Sequence, residues 1–251
     1  MNFILIVRKI LNIFDTFQQK KIINILKKNS YGSLIIFDVG SHLGETVKLF
    51  SGNFDIKKIH CFEASNINFI ILKDNLVKNK LIDICVLNNL GIGDVEGKNF
   101  LNQTKESSSS TINTFNKDSK YLKKKLKILN IKDTDNFYKK IPIDIIKLST
   151  YIEKNEITKT DNLLSELNLK NLDYLKIDTE GFELNVIKSL ENYSHIVRNI
   201  YFEHHYDDMI IKNYKFSDIN QILKNFGFKK IYKSKMLFRK SFEYIYINTT
   251  I

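Results

Sequence analysis

Three carboxylates and a glycine follow directly on a short apolar run in Asp173-Tyr174-Leu175-Lys176-Ile177-Asp178-Thr179-Glu180-Gly181-Phe182-Glu183. A strand that ends in acids presents them at a site, because a buried carboxylate is costly unless it is paired or used. Phe37-Asp38-Val39-Gly40-Ser41-His42-Leu43-Gly44-Glu45 has the same strand-to-acid-to-glycine form. If both strands lie side by side in one parallel sheet, their ends converge on one crevice. Gly40 and Gly44 let the chain turn tightly and let a ligand approach the backbone. The Gly-x-x-x-Gly spacing is not the dinucleotide Gly-x-Gly-x-x-Gly, and Asp38 is unsuited to a phosphate. Glu63 ends the next predicted strand, about 20 residues past the turn, where a carboxylate can accept both hydroxyls of a ribose. A glycine turn, a ribose acid and no phosphate cradle point to S-adenosylmethionine. Its sulfonium is cationic and its amino-acid end zwitterionic.

The elements that must position these groups alternate between strand and helix. Residues 1–31 read as a helical lead-in, with Ile10, Phe14, Phe17, Ile22, Ile23 and Leu26 at helical spacings. Strands are expected at Leu34–Val39, Lys58–Glu63, Asp83–Asn89, Asp173–Asp178 and Val197–Glu203. Helices are expected from Glu45, after a cap at Ser65 with Ile67, Ile70 and Ile71 on the inner face, at Asp118–Asn130 with Leu122, Leu126 and Leu129 aligned, and at Asp161–Asn168. The helix after Asp178 carries Phe182, Val186 and Leu190 on one face. Thr104–Thr114, with four consecutive serines, reads as a loop or lid. Phe226–Ser234 and Phe242–Asn248 lack the apolar continuity of central strands and suggest an antiparallel edge hairpin. Strands alternating with helices argue for a parallel α/β sheet. Residues 32–251 read as one domain carrying a lysine-rich insertion at about 104–160.

Composition sets outer bounds. The 251 residues are 43% hydrophobic, enough for one sizeable core. No apolar run reaches the roughly 20 residues of a membrane helix, and the N-terminus lacks the pattern of a signal peptide. A cytoplasmic protein is expected, with peripheral membrane contact through the basic surface or the N-terminal helix left open. Cys61 and Cys85 fall inside predicted strands and read as buried thiols, not a disulfide framework or a zinc site. Net charge is +11, and Lys117–Lys140 alone holds nine Lys against three Asp. No aromatic interleaving accompanies that charge, so it reads as a solvated face and nucleic acid is not expected as a partner.

The chain resembles the FkbM-type methyltransferases of the class I group that uses S-adenosylmethionine. The resemblance rests on Phe37–Glu45, Cys61-Phe62-Glu63-Ala64-Ser65, Asn89-Leu90-Gly91-Ile92-Gly93-Asp94, Ser107–Thr111 and Leu172–Glu183. It implies a Rossmann-like, seven-stranded, mostly parallel sheet of order 3-2-1-4-5-7-6, with the last strand antiparallel and helices on both faces. It implies that Asp38, Gly40 and Gly44 face the methionine moiety, that Glu63 meets the ribose, that Asn89 lies beside the adenine, and that Ser41 and Ala64 also bind the cofactor. The expected reaction is methylation of an oxygen, on a sugar hydroxyl of a glycan or on a small metabolite. A nicotinamide oxidoreductase and an RNA-modifying protein on the same fold are the competing readings.

Transfer to a hydroxyl needs a group that takes its proton. Asp178 is the first candidate because it ends the strand nearest the methyl. Glu203 and His205 come next; they share a face by strand alternation, and His204 points away as a structural histidine. Glu180 and Glu183 are open to two readings, catalytic acids or acids that favour the helix N-terminus, and for Glu183 the second is the better one. Lys176 is expected to pair with a neighbouring carboxylate. Glu203, His205 and Asp178 could also hold a divalent metal, but nothing in their spacing requires one, and no metal ligand is assigned.

Overall fold

The computed structural model describes residues 17–155, 172–234 and 240–251. The helix expected at Asp161–Asn168 and the first part of the lead-in lie outside the described residues. The elements in order are α1 (residues 17–27), β1 (Leu34–Val39), α2 (Glu45–Ser51), β2 (Ile56–Phe62), α3 (Asn66–Lys78), β3 (Cys85–Asn88), β4 (Gly91–Ile92), β5 (Gly97–Thr104), α4 (Lys120–Ile128), β6 (Tyr138–Ile146), α5 (Leu148–Lys154), β7 (Leu172–Ile177), α6 (Glu183–Lys188), β8 (Val197–His205), α7 (Phe216–Asn225), β9 (Phe228–Lys233) and β10 (Ser241–Asn248).

A seven-stranded sheet runs β3-β2-β1-β7-β8-β10-β9. Only β10 runs antiparallel to its neighbours. Counting just these seven strands, the order is the expected 3-2-1-4-5-7-6. All six residues of β1 are buried, as a central parallel strand requires. Its side chains alternate between two cores. Ile35, Phe37 and Val39 join α5, α6 and α7 on one face. Leu34 and Ile36 join α1, α2 and α3 on the other. β10 lies inside the sheet, between β8 and β9, so of the expected edge hairpin only β9 is an edge. Its burial there explains why Tyr244, Ile245 and Tyr246 are enclosed.

Several local expectations need correction. In α3 the buried positions are Asn68, Leu72 and Leu76, while Ile67, Ile70 and Ile71 are 55%, 53% and 40% exposed. The Ser65 cap is as expected, accepting from Asn68 N. The helix is apolar on both sides, and contact with β1 and α2 chooses the leucine face. Leu72→Ala is therefore expected to cost about 3 kcal/mol, and Ile70→Ala less than about 0.5 kcal/mol. Urea unfolding of both variants checks the difference. β3 begins only at Cys85, after a short 3-10 turn at Ile82–Ile84. The insertion is more ordered than a lid and one helix: its strand β6 joins β4 and β5, which precede it in the chain, in a second sheet, β4-β6-β5. In α4, Leu122 and Leu126 pack with Phe115, Phe137, Met209 and Ile210, but Leu129 lies past the helix end and is exposed. No helix among the described residues is long and apolar enough to cross a membrane.

Candidate active site

β1 and β7 pair in parallel, with Asp38 level with Lys176 and Val39 level with Ile177. The Asp178 amide donates to Val39 O at 2.9 Å, which locks the two strand ends together. Just beyond, Gly40 turns away at φ 81°. A Cβ on Gly40 would stand 1.9 Å from the Asp178 carbonyl oxygen, so only glycine fits this crossing. Gly44, at φ 93°, seats α2 against α3; its missing Cβ would lie 3.1 Å from Leu72 Cδ1.

Beneath this crossing Lys176 Nζ lies 3.3 Å from Asp38 Oδ1 and 3.4 Å from Asp178 Oδ2. The expected ion pair is thus a triad. Burial pushes the Asp38 carboxyl up, and Lys176 pulls it back down. Burial also works against the Lys176 charge, but Asp38 and Asp178 outweigh it and hold the proton on. Asp38 is completely enclosed and lies under the cavity floor, not on its wall. Asp178, by contrast, is exposed to the cavity.

A cavity of about 490 Å³ opens above the strand ends. At one end Gly40, Ser41 and Glu63 form its wall. Ser41 Oγ donates to Asp38 O at 2.7 Å and closes the turn. Glu63 accepts from His42 N and from Ser65 N, each at 2.9 Å. Burial pushes this carboxyl up, against the pull of those two amides. Ala64, Leu90, Ile92, Leu101 and Ile112 supply an apolar wall next to it. Asn89 braces this corner from outside the cavity, its Nδ2 donating to Glu63 O at 2.8 Å and Ala64 O at 3.3 Å.

The serine loop forms the roof. His42 bridges Glu45 Oε1 at 3.2 Å and Ser107 Oγ at 2.7 Å, which ties the glycine turn to the loop. From α4, Lys125 Nζ lies 2.9 Å from Glu106 Oε1 and hydrogen-bonds Ser109. The lysine-rich helix therefore sends one of its cations inward, although most of its lysines face solvent.

The other end is lined by Asp178, Glu180, Glu203, His205 and Asp207. β8 continues two residues past its expected end, which puts Glu203 and His205 on the cavity side and His204 in the core. His205 Nε2 lies 3.4 Å from Glu180 Oε2 and 3.6 Å from Glu203 Oε1, and its Nδ1 lies 3.4 Å from Asp207 Oδ2. Burial disfavours the imidazolium, but Glu180, Asp207 and Glu203 prevail and push His205 up to about 10. Glu183 serves structure instead. It accepts from Gly181 N at 2.6 Å and from Tyr214 OH at 2.5 Å. Among the described residues no group of three or more His, Cys, Asp or Glu is arranged to hold a metal ion.

Thus Gly40, Ser41, Glu63, Ala64, Asp178, Glu203 and His205 meet at one cavity, while Asp38, Gly44 and Asn89 support it from behind. Sequence reasoning overlooked Asp207 and Lys125 and left Glu180 open between a site acid and a helix-start acid. The dense acids of Asp178–Glu183 were the one available signal for Glu180.

This strand order, with a crevice where β1 and β7 part company, defines the Rossmann-like class I methyltransferase fold. The chain belongs to the FkbM methyltransferase family: the family model described as "Methyltransferase FkbM domain" matches residues 38–230. Among solved structures it is similar to magnesium protoporphyrin IX methyltransferase from Synechocystis PCC 6803 with bound S-adenosylmethionine (TM-score 0.51, 9% identity, 99% of this chain and 85% of that one). It is also similar to methyltransferase FkbM from Methylobacillus flagellatus KT (TM-score 0.48, 13% identity), covering 85% of this chain but only 44% of that one. At 9% identity the likeness to the first of these concerns the fold alone. No curated protein matches the sequence at a significant level.

Proposed function

We propose that this chain transfers a methyl group from S-adenosylmethionine to an oxygen, the acceptor being a sugar hydroxyl of a glycan or a hydroxyl of a small metabolite. The observation that carries the reading is the Gly40 turn pressed against Asp178 with the Glu63 carboxylate opening into the same cavity. The residues present fit the cofactor. The Gly40-Ser41 backbone and Asp178 suit a zwitterion and a sulfonium, Glu63 suits a ribose diol, and the apolar wall from Ala64 to Ile92 suits an adenine. A pyrophosphate would meet carboxylates there, which disfavours a nicotinamide nucleotide.

When bound, the cofactor supplies an electrophilic methyl on sulfur. The chain's own contribution is position and charge. Lys176 fixes Asp178 at the junction between the two ends of the cavity. The serine roof covers the junction and limits water. The acids and hydroxyls of the far end offer many acceptors for a polyhydroxyl ligand, in line with a sugar.

Glu63→Ala is expected to weaken S-adenosylmethionine binding by about 1.5–3 kcal/mol, through the lost ribose hydrogen bonds. Calorimetry measures it, and unaltered affinity would place the ribose elsewhere. Incubation with methyl-labelled cofactor and extracts of glycans or metabolites tests the acceptor class. Label found only on nitrogen or carbon would remove the oxygen assignment.

A further inference from the structure

Glu180 has three properties that a helix-start acid does not need. It is a non-glycine residue at φ 48°, in the left-handed region. That conformation is held from outside: Thr111 Oγ1 donates to the Glu180 carbonyl at 2.7 Å, and Asn113 Nδ2 to the next carbonyl, of Gly181, at 2.6 Å. Backbone strain kept in place by neighbours is characteristic of functional turns. Its side chain lines the cavity while its Oε2 is buried and completes no hydrogen bond. Buried polar atoms are seldom left so. Glu183, three residues on, has both oxygens hydrogen-bonded and shows what a structural acid looks like in this same turn.

The neighbour of that open oxygen is His205 Nε2, at 3.4 Å. The imidazole is itself clamped by Asp207 on its other nitrogen and by Glu203, and the Lys212 ammonium donates to its backbone carbonyl. His205 is therefore oriented by β8 and the loop after it, with one edge turned to Glu180.

We propose that Glu180 takes the proton of the acceptor hydroxyl and that His205 is the positioning residue that holds the Glu180 carboxylate for it. This rests on the methyl-transfer reading. In the step, the acceptor O–H bond breaks toward the Glu180 carboxylate, at the oxygen turned away from His205, while the acceptor oxygen forms its bond to the methyl carbon. The electron pair of the broken carbon–sulfur bond stays on sulfur, and Glu180 later returns the proton to water. Asp178 is less free for this task, since Lys176 holds one of its oxygens at 3.4 Å. Burial, opposed by His205 and reinforced by Asp178 and Glu203, pushes Glu180 up to about 8, close to where a general base works best. The charged groups that face the pair are Asp178 just past β7, Glu203 on β8, Asp207 and Lys212 beyond it, Glu183 on α6 and Lys125 on α4. A base must be ionised to act, so transfer is expected to rise with pH through about 8.

The test uses the full chain, wild type, Glu180→Gln and Glu180→Asp, with carbon-13 in the glutamate carboxyls and histidine rings. In the wild type one glutamate carboxyl is expected to titrate near pH 8 and to vanish from the spectrum of Glu180→Gln. The His205 midpoint is expected to fall by about one pH unit or more in Glu180→Gln and to stay high in Glu180→Asp. Affinity for S-adenosylmethionine by calorimetry is expected to stay within about threefold, while labelled-methyl transfer into extract falls about 100-fold. An unmoved His205 midpoint, or wild-type transfer by Glu180→Gln, overturns the proposal alone. Failure of the wild type to bind S-adenosylmethionine overturns the methyl-transfer reading and the proposal with it.

Discussion

Gly40→Ala is expected to cost about 3–5 kcal/mol of stability and to abolish cofactor binding. The left-handed φ of 81° contributes only part of this, about 1–2 kcal/mol for a residue with a Cβ. The larger part is steric. The new methyl would lie 1.9 Å from the Asp178 carbonyl oxygen, which is main chain and cannot swing aside as a side chain could. The β1 and β7 ends would have to part, straining the Asp178 N to Val39 O bond and the Gly40 N to Phe62 O bond, both 2.9 Å. Gly32→Ala is the control. Gly32 also has a left-handed φ, of 68°, but nothing lies within 4 Å of its missing Cβ. That variant is expected to lose only the backbone part. Denaturant unfolding of both, with calorimetry against S-adenosylmethionine, separates the two contributions. Equal losses at the two positions would refute the crossing as the origin of the effect.

Lys176→Met is expected to destabilise by about 3–5 kcal/mol, because it removes the cation and leaves the Asp38 carboxylate enclosed. Asp38→Asn combined with Lys176→Met should recover much of that loss, since neither member of the pair is then charged. The pH dependence has a definite sign. Burial already pushes the Asp38 carboxyl above its ordinary value with Lys176 present, and without Lys176 it rises further. A carboxyl raised in the folded state binds more protons there than in the unfolded chain. Its contribution is complete below the unfolded value of about 3.9 and is lost as pH rises through the folded value. Lys176→Met should therefore gain stability relative to wild type on acidification from about pH 7 to about pH 5. A loss unchanged over that range would show that Asp38 is not the group left unpaired.

The alternation of strand and helix, the enclosed β1 and β7, the glycine turn and the acid at the end of β2 were all legible in the sequence. Each is a local pattern: an apolar run stops, and an acid or glycine follows. The inner face of α3 was misread because Ile67, Ile70 and Ile71 repeat at helical spacing as well as Leu72 and Leu76 do. Local periodicity cannot choose between two apolar faces; contact with β1 and α2 does. The small sheet β4-β6-β5 was missed because its central strand, β6, lies far along the chain from β4 and β5, beyond the serine loop and α4.

The sequence by itself determined that Asp38, Glu63, Asp178, Glu203 and His205 stand at strand ends. Tertiary structure alone decided what each of them is for. Asp38 became a buried partner of Lys176, and Glu180, one acid among three in the sequence, acquired a buried oxygen without a hydrogen bond beside a charged His205. The physical reason is that burial and Coulomb interactions act through space. A carboxylate's charge state depends on groups from β1, β7, β8 and the serine roof meeting within a few ångströms, and no stretch of chain contains them all.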